Sequence, residues 1–134
     1  MDARGLGRFA GPDGTAATAA GDYGLENAVF ILTLTYLKDL AEIDALLPAH
    51  REYLERHYRE GRFLLSGRQE PRTGGFILAL GDDPDEIREI TRTDPFVTSA
   101  VARYDIIRVT PTGVSALLGD GPAAAGLTGL TVIG

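Results

Sequence analysis

Strand and helix patterns follow one another in the order β-α-β-β-α-β between residues 26 and 110, and this order predicts an α+β fold of the ferredoxin-like kind. The prediction depends on alternating apolar residues in the first segment, a helix pattern that ends at a glycine, and an acidic cap before the second helix. Twelve of the 17 glycines lie outside this region, in residues 1–25 and 111–134. We therefore expect one folded domain over residues 26–110, a flexible Gly/Ala-rich tail before it and an apolar extension after it.

The composition excludes several classes of function. The chain is 44% hydrophobic and 24% charged, as in ordinary globular domains, and its formal net charge is −6. An acidic chain without a basic stripe is not suited to nucleic acid, and no apolar stretch is continuous enough to span a membrane. The absence of cysteine removes thiol nucleophiles and zinc–thiolate sites, and it fits a cytoplasmic location.

The first predicted strand covers residues 28–36 and is apolar on both faces. One face carries four alternating side chains, Phe30, Leu32, Leu34 and Tyr36. Val29 and Ile31 make the opposite face apolar as well. Since two helices cover one face of such a sheet, the other face needs a second cover, and we expect the sheet of a partner subunit to provide it.

The first helix pattern contains a proline. Residues 39–47 predict a short helical approach, and Pro48 then suits the first position of the main helix, where its missing N–H costs nothing. This helix is expected to run to Glu60 and to end at Gly61. His50 would stand near the helix N-terminus, where the positive end of the helix dipole favours a neutral imidazole.

Two strands and the start of a second helix follow. The strands are predicted over residues 62–67 and 75–80. Asp83, Pro84 and Glu86 then have the pattern of a helix N-terminus, with an acidic cap, a proline in the first position and a glutamate in the third. This arrangement predicts where the second helix begins.

The second helix is expected to stop near Thr93. Asp94 precedes Pro95, and the residue before a proline is disfavoured in the helical region of backbone conformation. A short helical or irregular segment then leads to a final strand over residues 104–110.

His50 and Asp94 are the candidates for acid–base chemistry. The chain has two histidines, and histidine is the side chain that titrates near neutral pH. From the residues alone, His50 also fits a structural role in an apolar helix stripe, and Asp94 also fits a turn that an Asp-Pro pair begins. His57 lies seven residues after His50, and we interpret it as a surface or partner-contact residue.

The motifs together resemble the YCII-related family. They are PAHREYLERHYREGRFLLSGR, GGFILAL, TDPF and YDIIRV, and the resemblance covers about residues 28–110. It implies the dimeric α+β barrel superfamily, which includes muconolactone isomerases and small monooxygenases, and a dehydrochlorinase-type lyase is among the few characterised activities of the family. It also implies a catalytic pair formed by His50 and Asp94. Arg68 stands where many family members have proline.

Further residues are expected to bind the substrate beside this pair. We expect Tyr53 and Phe96 to line the pocket and Ser66 to donate a hydrogen bond into it. Ser66 has no base next to it in sequence, which disfavours a nucleophilic role. Arg68 and Arg72 would bind a carboxylate or phenolate, although solvated loop arginines are an equally simple interpretation.

The function predicted from these observations is proton transfer without a cofactor or a metal. His50 would act as the base and Asp94 would orient it, in an elimination, isomerisation or dehydration of a small organic substrate, aromatic or polyketide-like. We expect a homodimer. The alternative is a non-catalytic small-molecule binder or accessory protein on the same scaffold. A cofactor-free monooxygenase is the third hypothesis, for which no aromatic or Asn/His cluster gives support.

Overall fold

An antiparallel sheet of four strands forms the centre of the fold. The structure, a computed structural model, describes residues 28–124, 126–127 and 129–133, so the tail predicted over residues 1–25 lies outside the described residues. Two units are present. One comprises Val29–Val109, and the other holds the C-terminal residues from Thr110 onward.

The first unit has the predicted order of elements. Its strands are β1 (Val29–Tyr36), β2 (Phe63–Arg68), β3 (Gly74–Leu80) and β4 (Ala102–Val109). Its helices are α1 (Leu40–Arg59), α2 (Pro84–Arg92) and the single-turn α3 (Pro95–Thr98). The strands lie in the order β2-β3-β1-β4, and each is antiparallel to its neighbour. This is the ferredoxin-like arrangement, and it confirms the predicted fold class.

Both long helices cover the same face of the sheet. Phe30 and Leu32 on β1 are completely buried, and they share a core cluster with Tyr53 of α1 and Ile87 of α2. A second cluster lies around Leu34 and joins the first turns of α1 to α3. The alternation that the sequence shows along β1 therefore separates the helix-covered face from the other face, as expected.

Helix α1 is continuous through Pro48, so the prediction of a helix start at this residue was wrong. The helix begins at Leu40, where the side chain of Asp39 accepts a hydrogen bond from the backbone N–H of Glu42. A proline inside a helix costs about 3 kcal/mol. Burial of Ile43 in the second cluster stabilises the turns before Pro48 and offsets part of that cost.

The extended helix changes the electrostatic surroundings of His50. This residue lies about three turns beyond the N-terminus at Leu40, whereas the effect of the helix dipole falls off within the first turn. The argument that the dipole favours a neutral His50 was therefore wrong.

Helix α2 begins at the predicted cap and ends close to the predicted stop, and Asp94, predicted as a stop or turn residue, caps a further helix. Asp83 caps α2 by accepting a hydrogen bond from the N–H of Asp85 at 2.9 Å, and Pro84 is the first helical residue. The helix ends at Arg92, close to the predicted stop. Asp94 then caps α3 by accepting a hydrogen bond from the N–H of Phe96 at 2.9 Å. Local sequence signals thus place Asp94 at a helix start.

Two adjacent glycines at the start of β3 allow the strands to approach closely. A Cβ atom at Gly74 would lie 1.9 Å from the carbonyl oxygen of Leu34, and one at Gly75 would lie 2.9 Å from the carbonyl oxygen of Gly67. Both distances are far below normal contact. Any side chain at Gly74 would therefore push β3 away from β1, beside the residues that form the candidate site.

The face of the sheet opposite the helices is largely apolar, although Thr33, Thr35, Arg103 and Asp105 also lie on it. Strand register places the following side chains on this face: Val29, Ile31, Leu65, Phe76, Leu78, Leu80, Ile107 and Val109. Leu65 and Ile107 are each 56% exposed. The sequence showed apolar residues on this face for β1 only, and the structure shows them on all four strands.

The C-terminal unit contains two short strands. Strand β5 (Gly113–Ser115) pairs in parallel with β6 (Thr131–Ile133), and a 3-10 turn and a one-turn helix α4 (Gly121–Ala124) lie between them in sequence. No helix among the described residues is long and apolar enough to cross a membrane.

His57 lies in the core, so its interpretation as a surface residue was wrong. It is 6% exposed, and its ring packs against those of Tyr53 and Phe63 with centroids 4.9 Å away in both cases. Nδ1 is 3.2 Å from Oε1 of Glu60 but lacks the alignment of a hydrogen bond, and neither ring nitrogen has a hydrogen-bond partner. Burial lowers the pKa of His57, and the Glu60 carboxylate opposes this effect in part.

Stability should therefore depend on pH through His57. Its pKa in the folded state lies below the value of about 6.5 in the unfolded chain, so the unfolded state takes up the proton first as the pH falls below this value. We expect the free energy of unfolding to decrease from pH 7.5 to pH 5.5, and His57→Leu to reduce this loss. Urea denaturation of both proteins at the two pH values measures it. An equal loss in both proteins would contradict the assignment to His57.

Candidate active site

Three elements bring together one imidazole, one carboxylate and one phenol. His50 lies on α1, Asp94 caps α3, and Tyr104 lies on β4, where it is paired with Leu34 of β1. His50 and Asp94 are 44 residues apart in sequence, yet His50 Nδ1 is 2.9 Å from Asp94 Oδ1. The fold therefore brings the two candidate residues within hydrogen-bond distance.

Asp94 is completely buried and accepts three hydrogen bonds. Oδ1 accepts from the backbone N–H of Phe96 and contacts His50 Nδ1, while Oδ2 accepts from the hydroxyl of Tyr104 at 2.5 Å. An ionised carboxylate has enough lone pairs for all three bonds. These partners offset the cost of burying the carboxylate and leave it one orientation.

The carboxylate determines which nitrogen of His50 is available. A carboxylate oxygen that also accepts from Phe96 N–H favours the His50 tautomer in which Nδ1 carries the proton. In the neutral imidazole, Nε2 then has the free lone pair, which is what a general base requires. This is the arrangement in which a carboxylate orients a histidine and stabilises the imidazolium that forms.

Aromatic rings fix the plane of the imidazole. The ring of Phe96 stacks on that of His50 with centroids 4.1 Å apart and an interplanar angle of 11°, and Tyr53 stacks at 5.9 Å and 28°. His50 is itself only 8% exposed. The Asp94–Phe96 segment therefore holds the histidine by a hydrogen bond at the ring edge and by contact with the ring face.

The hydroxyl of Tyr104 remains a donor to Asp94. Burial raises the pKa of Tyr104 far above its usual range, and the neighbouring Tyr53 and Asp94 raise it further. The pKa of Tyr53 is also raised, chiefly by burial and then by Asp94. Both phenols consequently stay protonated over the physiological range.

A cavity of about 330 Å³ opens beside His50. It is lined by Leu34, Tyr36, Leu47, His50, Arg51, Leu54, Ser66, Gly67, Arg68, Arg72, Gly75, Phe76, Ile77 and Phe96. Apolar side chains thus surround a small number of polar ones, and none of the lining residues is a carboxylate. The volume suits a small organic molecule.

Most of the predicted site residues meet at this cavity. His50, Ser66, Arg68 and Phe96 line it, and Asp94 lies buried behind His50. Tyr53 is different, because it does not line the cavity. It is 1% exposed and points into the first core cluster, so its expected place among the substrate-binding residues needs correction. The roles of these residues in catalysis and binding stay predictions.

Three polar residues of the cavity, Ser66, Arg68 and Arg72, have partners within the protein. The hydroxyl of Tyr58, on α1, forms a 2.5 Å hydrogen bond with Ser66 Oγ. Arg68 Nε donates to Glu70 at 3.0 Å, and Arg72 forms an ion pair with Asp44. Ser66 remains able to offer a hydrogen bond to a ligand, because its hydroxyl can both donate and accept.

Three contributors were missed by the sequence analysis. Tyr104 supplies the third hydrogen bond to Asp94, Tyr58 contacts Ser66, and Arg51 lines the cavity next to His50. A signal existed for Arg51, since it follows Leu47 by four residues and precedes Leu54 by three on the same helix face. No local signal indicates which carboxylate the Tyr104 hydroxyl meets.

A second cavity, of about 390 Å³, lies between α2 and β4. Its three arginines are Arg88, Arg92 and Arg103, and each is paired with a carboxylate of its own segment. No histidine lines this cavity. The cavity at His50 is therefore the better candidate for chemistry.

Among the described residues, no group of three or more His, Asp or Glu side chains is arranged to hold a metal ion.

Comparison with known proteins supports the fold. No curated protein matches the chain. Among solved structures, the 5-chloro-2-hydroxyhydroquinone dehydrochlorinase of Burkholderia phenoliruptrix AC1100, in complex with 2,5-dihydroxybenzoquinone, is similar with a TM-score of 0.54. The two are 17% identical, and the similarity covers 62% of this chain and 94% of that chain. At this identity, the likeness establishes the fold alone.

A known protein family also matches the chain. The YCII-related domain matches residues 28–110, which include every residue of the His50 cavity. This range is more than half of the chain. The chain therefore belongs to the YCII-related family.

Proposed function

We propose that this protein is a cofactor-free enzyme in which His50 removes a proton from a small organic substrate. One observation carries the proposal: an imidazole whose Nδ1 is held by a buried carboxylate lies in the wall of a largely apolar cavity. Such a site combines an imidazole base with a tautomer that the carboxylate favours and with partial exclusion of water. The reaction would be an elimination, isomerisation or dehydration.

The proposed reaction begins at Nε2 of His50. This nitrogen takes a proton from a carbon atom next to an electron-withdrawing group, and Asp94 stabilises the imidazolium that forms. Negative charge moves to an oxygen atom of the substrate, where Ser66 or an arginine of the cavity stabilises it. The electron pair then expels a leaving group in an elimination, or is reprotonated elsewhere in an isomerisation.

The similar dehydrochlorinase supports the choice of reaction class. Its name describes an enzyme that removes hydrogen chloride from a hydroxylated aromatic compound, and its structure holds a dihydroxybenzoquinone. Loss of hydrogen chloride requires the removal of a proton, which is the step that His50 is placed to perform. A small hydroxylated aromatic or a β-dicarbonyl compound of the polyketide kind is therefore the proposed substrate.

Substitution of His50 tests the base. His50→Ala is expected to lower turnover by about a hundred- to ten-thousandfold, the usual contribution of a positioned general base. The assay incubates the protein with 5-chloro-2-hydroxyhydroquinone and with acetylacetone in D₂O and follows product formation and deuterium incorporation by NMR. His57→Leu is the matched control, because it removes the other imidazole of α1 from outside the cavity. Equal rates for wild type and His50→Ala would contradict the proposal.

Substitution of Tyr104 tests the orientation of the base. Tyr104→Phe removes one of three donors to Asp94, so we expect kcat to fall by less than in His50→Ala, with KM nearly unchanged. The tautomer of His50, read from its imidazole ¹⁵N shifts, should become mixed. Tyr58→Phe removes a hydroxyl that bonds Ser66 and should leave this signal as it is. An unchanged tautomer in Tyr104→Phe would refute the positioning role.

A non-catalytic binder is the alternative, since His50, Ser66, Arg68 and Arg72 all have internal partners in the described structure. In that case His50→Ala would change the affinity for a ligand, and the wild-type protein would turn over none of the substrates tested.

We also propose that a second copy of the chain covers the open sheet face, as in a dimeric α+β barrel. The eight apolar side chains on this face support the proposal. Light scattering coupled to gel filtration should give twice the 14.3 kDa mass of one chain. Ile107→Glu, on this face, should shift the protein to monomer, whereas Leu37→Glu, exposed outside the sheet, should not. A monomeric wild-type protein at micromolar concentration would overturn the dimer.

A further inference from the structure

The His50 cavity has a cationic lining. Arg51, Arg68 and Arg72 contribute to it, and its lining residues include no aspartate or glutamate. The chain as a whole has a formal net charge of −6, so three arginines without a lining carboxylate are a local departure from the overall charge. The net charge of the cavity thus depends on how many of these guanidinium groups form ion pairs with carboxylates of residues outside the cavity lining.

Two of the three arginines are neutralised by carboxylates next to the cavity. Arg72 forms an ion pair with Asp44. The hydrogen bond between them lowers the pKa of Asp44 and raises the pKa of Arg72, so both side chains stay charged. Arg68 pairs with Glu70, although both side chains are largely exposed and such a pair contributes little. Arg51 has no carboxylate partner among the described residues. One positive charge therefore remains.

The position of Arg51 relates this charge to the proposed base. Arg51 follows His50 on α1 and lies on the same helix face as Leu47 and Leu54, which also line the cavity. The side chain of Arg51 is exposed and lines the cavity beside these apolar residues, and a guanidinium offers planar, paired N–H donors suited to a carboxylate or a phenolate. In the second cavity, by contrast, all three arginines are paired.

We infer that the cavity selects an organic anion, and that Arg51 is the residue that determines this specificity. The ligand has a negatively charged oxygen beside Arg51 and a flat apolar body against Leu47, Leu54 and Phe96. The inference rests on the proposed function in that the anion is taken to be the substrate on which His50 acts. Arg51 binds the negative charge that the substrate carries before His50 removes the proton.

A pair of probes with nearly the same shape tests the selection. Benzoate and benzamide differ in charge but have the same ring and a planar substituent, and neither needs to react. Titration calorimetry on the full-length protein should give at least about tenfold tighter binding of benzoate, as expected for hydrogen bonds to a charged group. Added NaCl should weaken benzoate binding and leave benzamide binding unchanged.

Two variants assign the preference to Arg51. Arg51→Gln should remove the difference between the probes. Arg59→Gln should retain it, because Arg59 lies two turns further along the same helix and does not line the cavity. A preference that persists in Arg51→Gln, equal affinities in the wild type, or no benzoate binding at millimolar concentration would each overturn the inference.

The same titration in His50→Ala separates this inference from the proposed function. If the enzyme shows no His50-dependent turnover but the preference for benzoate persists and depends on Arg51, the catalytic proposal fails and the anion site stands. If turnover depends on His50 but benzamide binds as well as benzoate, the anion site fails and the catalytic proposal stands.

Discussion

The carboxylate of Asp94 connects three elements of this protein, α1, α3 and β4, through hydrogen bonds. It caps α3 through the N–H of Phe96, holds His50 of α1 and accepts a hydrogen bond from Tyr104 of β4. Burial of a carboxylate is costly unless its oxygens are satisfied, so all three donors must be in place at once. The positions of α1, the cap of α3 and β4 relative to one another therefore have to be correct together, and the orientation of His50 depends on them.

The two histidines of α1 show that residue type and position on the helix face do not determine the surroundings of a side chain. His50 and His57 lie on the same buried stripe, seven residues apart. One has a carboxylate at its ring edge, an aromatic ring on its face and a cavity beside it, whereas the other has two nitrogens without hydrogen-bond partners in an aromatic cluster. The difference arises from the elements that pack against each turn. Helix α3 packs against the turn that carries His50, and a cavity lies beside it. The ring of Phe63 packs against His57.

Local signals were sufficient for much of the fold and for part of the site. Alternation along β1 and the cap at Asp83 predicted a strand and a helix start that the structure confirms, because these patterns act within a few residues. The resemblance to the YCII-related family indicated His50 and Asp94 as a pair. The buried environment of Tyr53 and the contact made by Tyr104 were not predictable, since both depend on residues distant in sequence.

The sequence by itself determined the order of the elements, the face of β1 that is buried and the end of α2 before Pro95, since each follows from local backbone and hydrophobic preferences. Tertiary structure alone decided that α1 continues through Pro48, because burial on both sides of the proline offsets a local penalty. It also decided that Asp94 serves a histidine as well as a helix. A carboxylate that caps a helix has a second oxygen and spare lone pairs, and only the packing of α1 and β4 brings their donors to it.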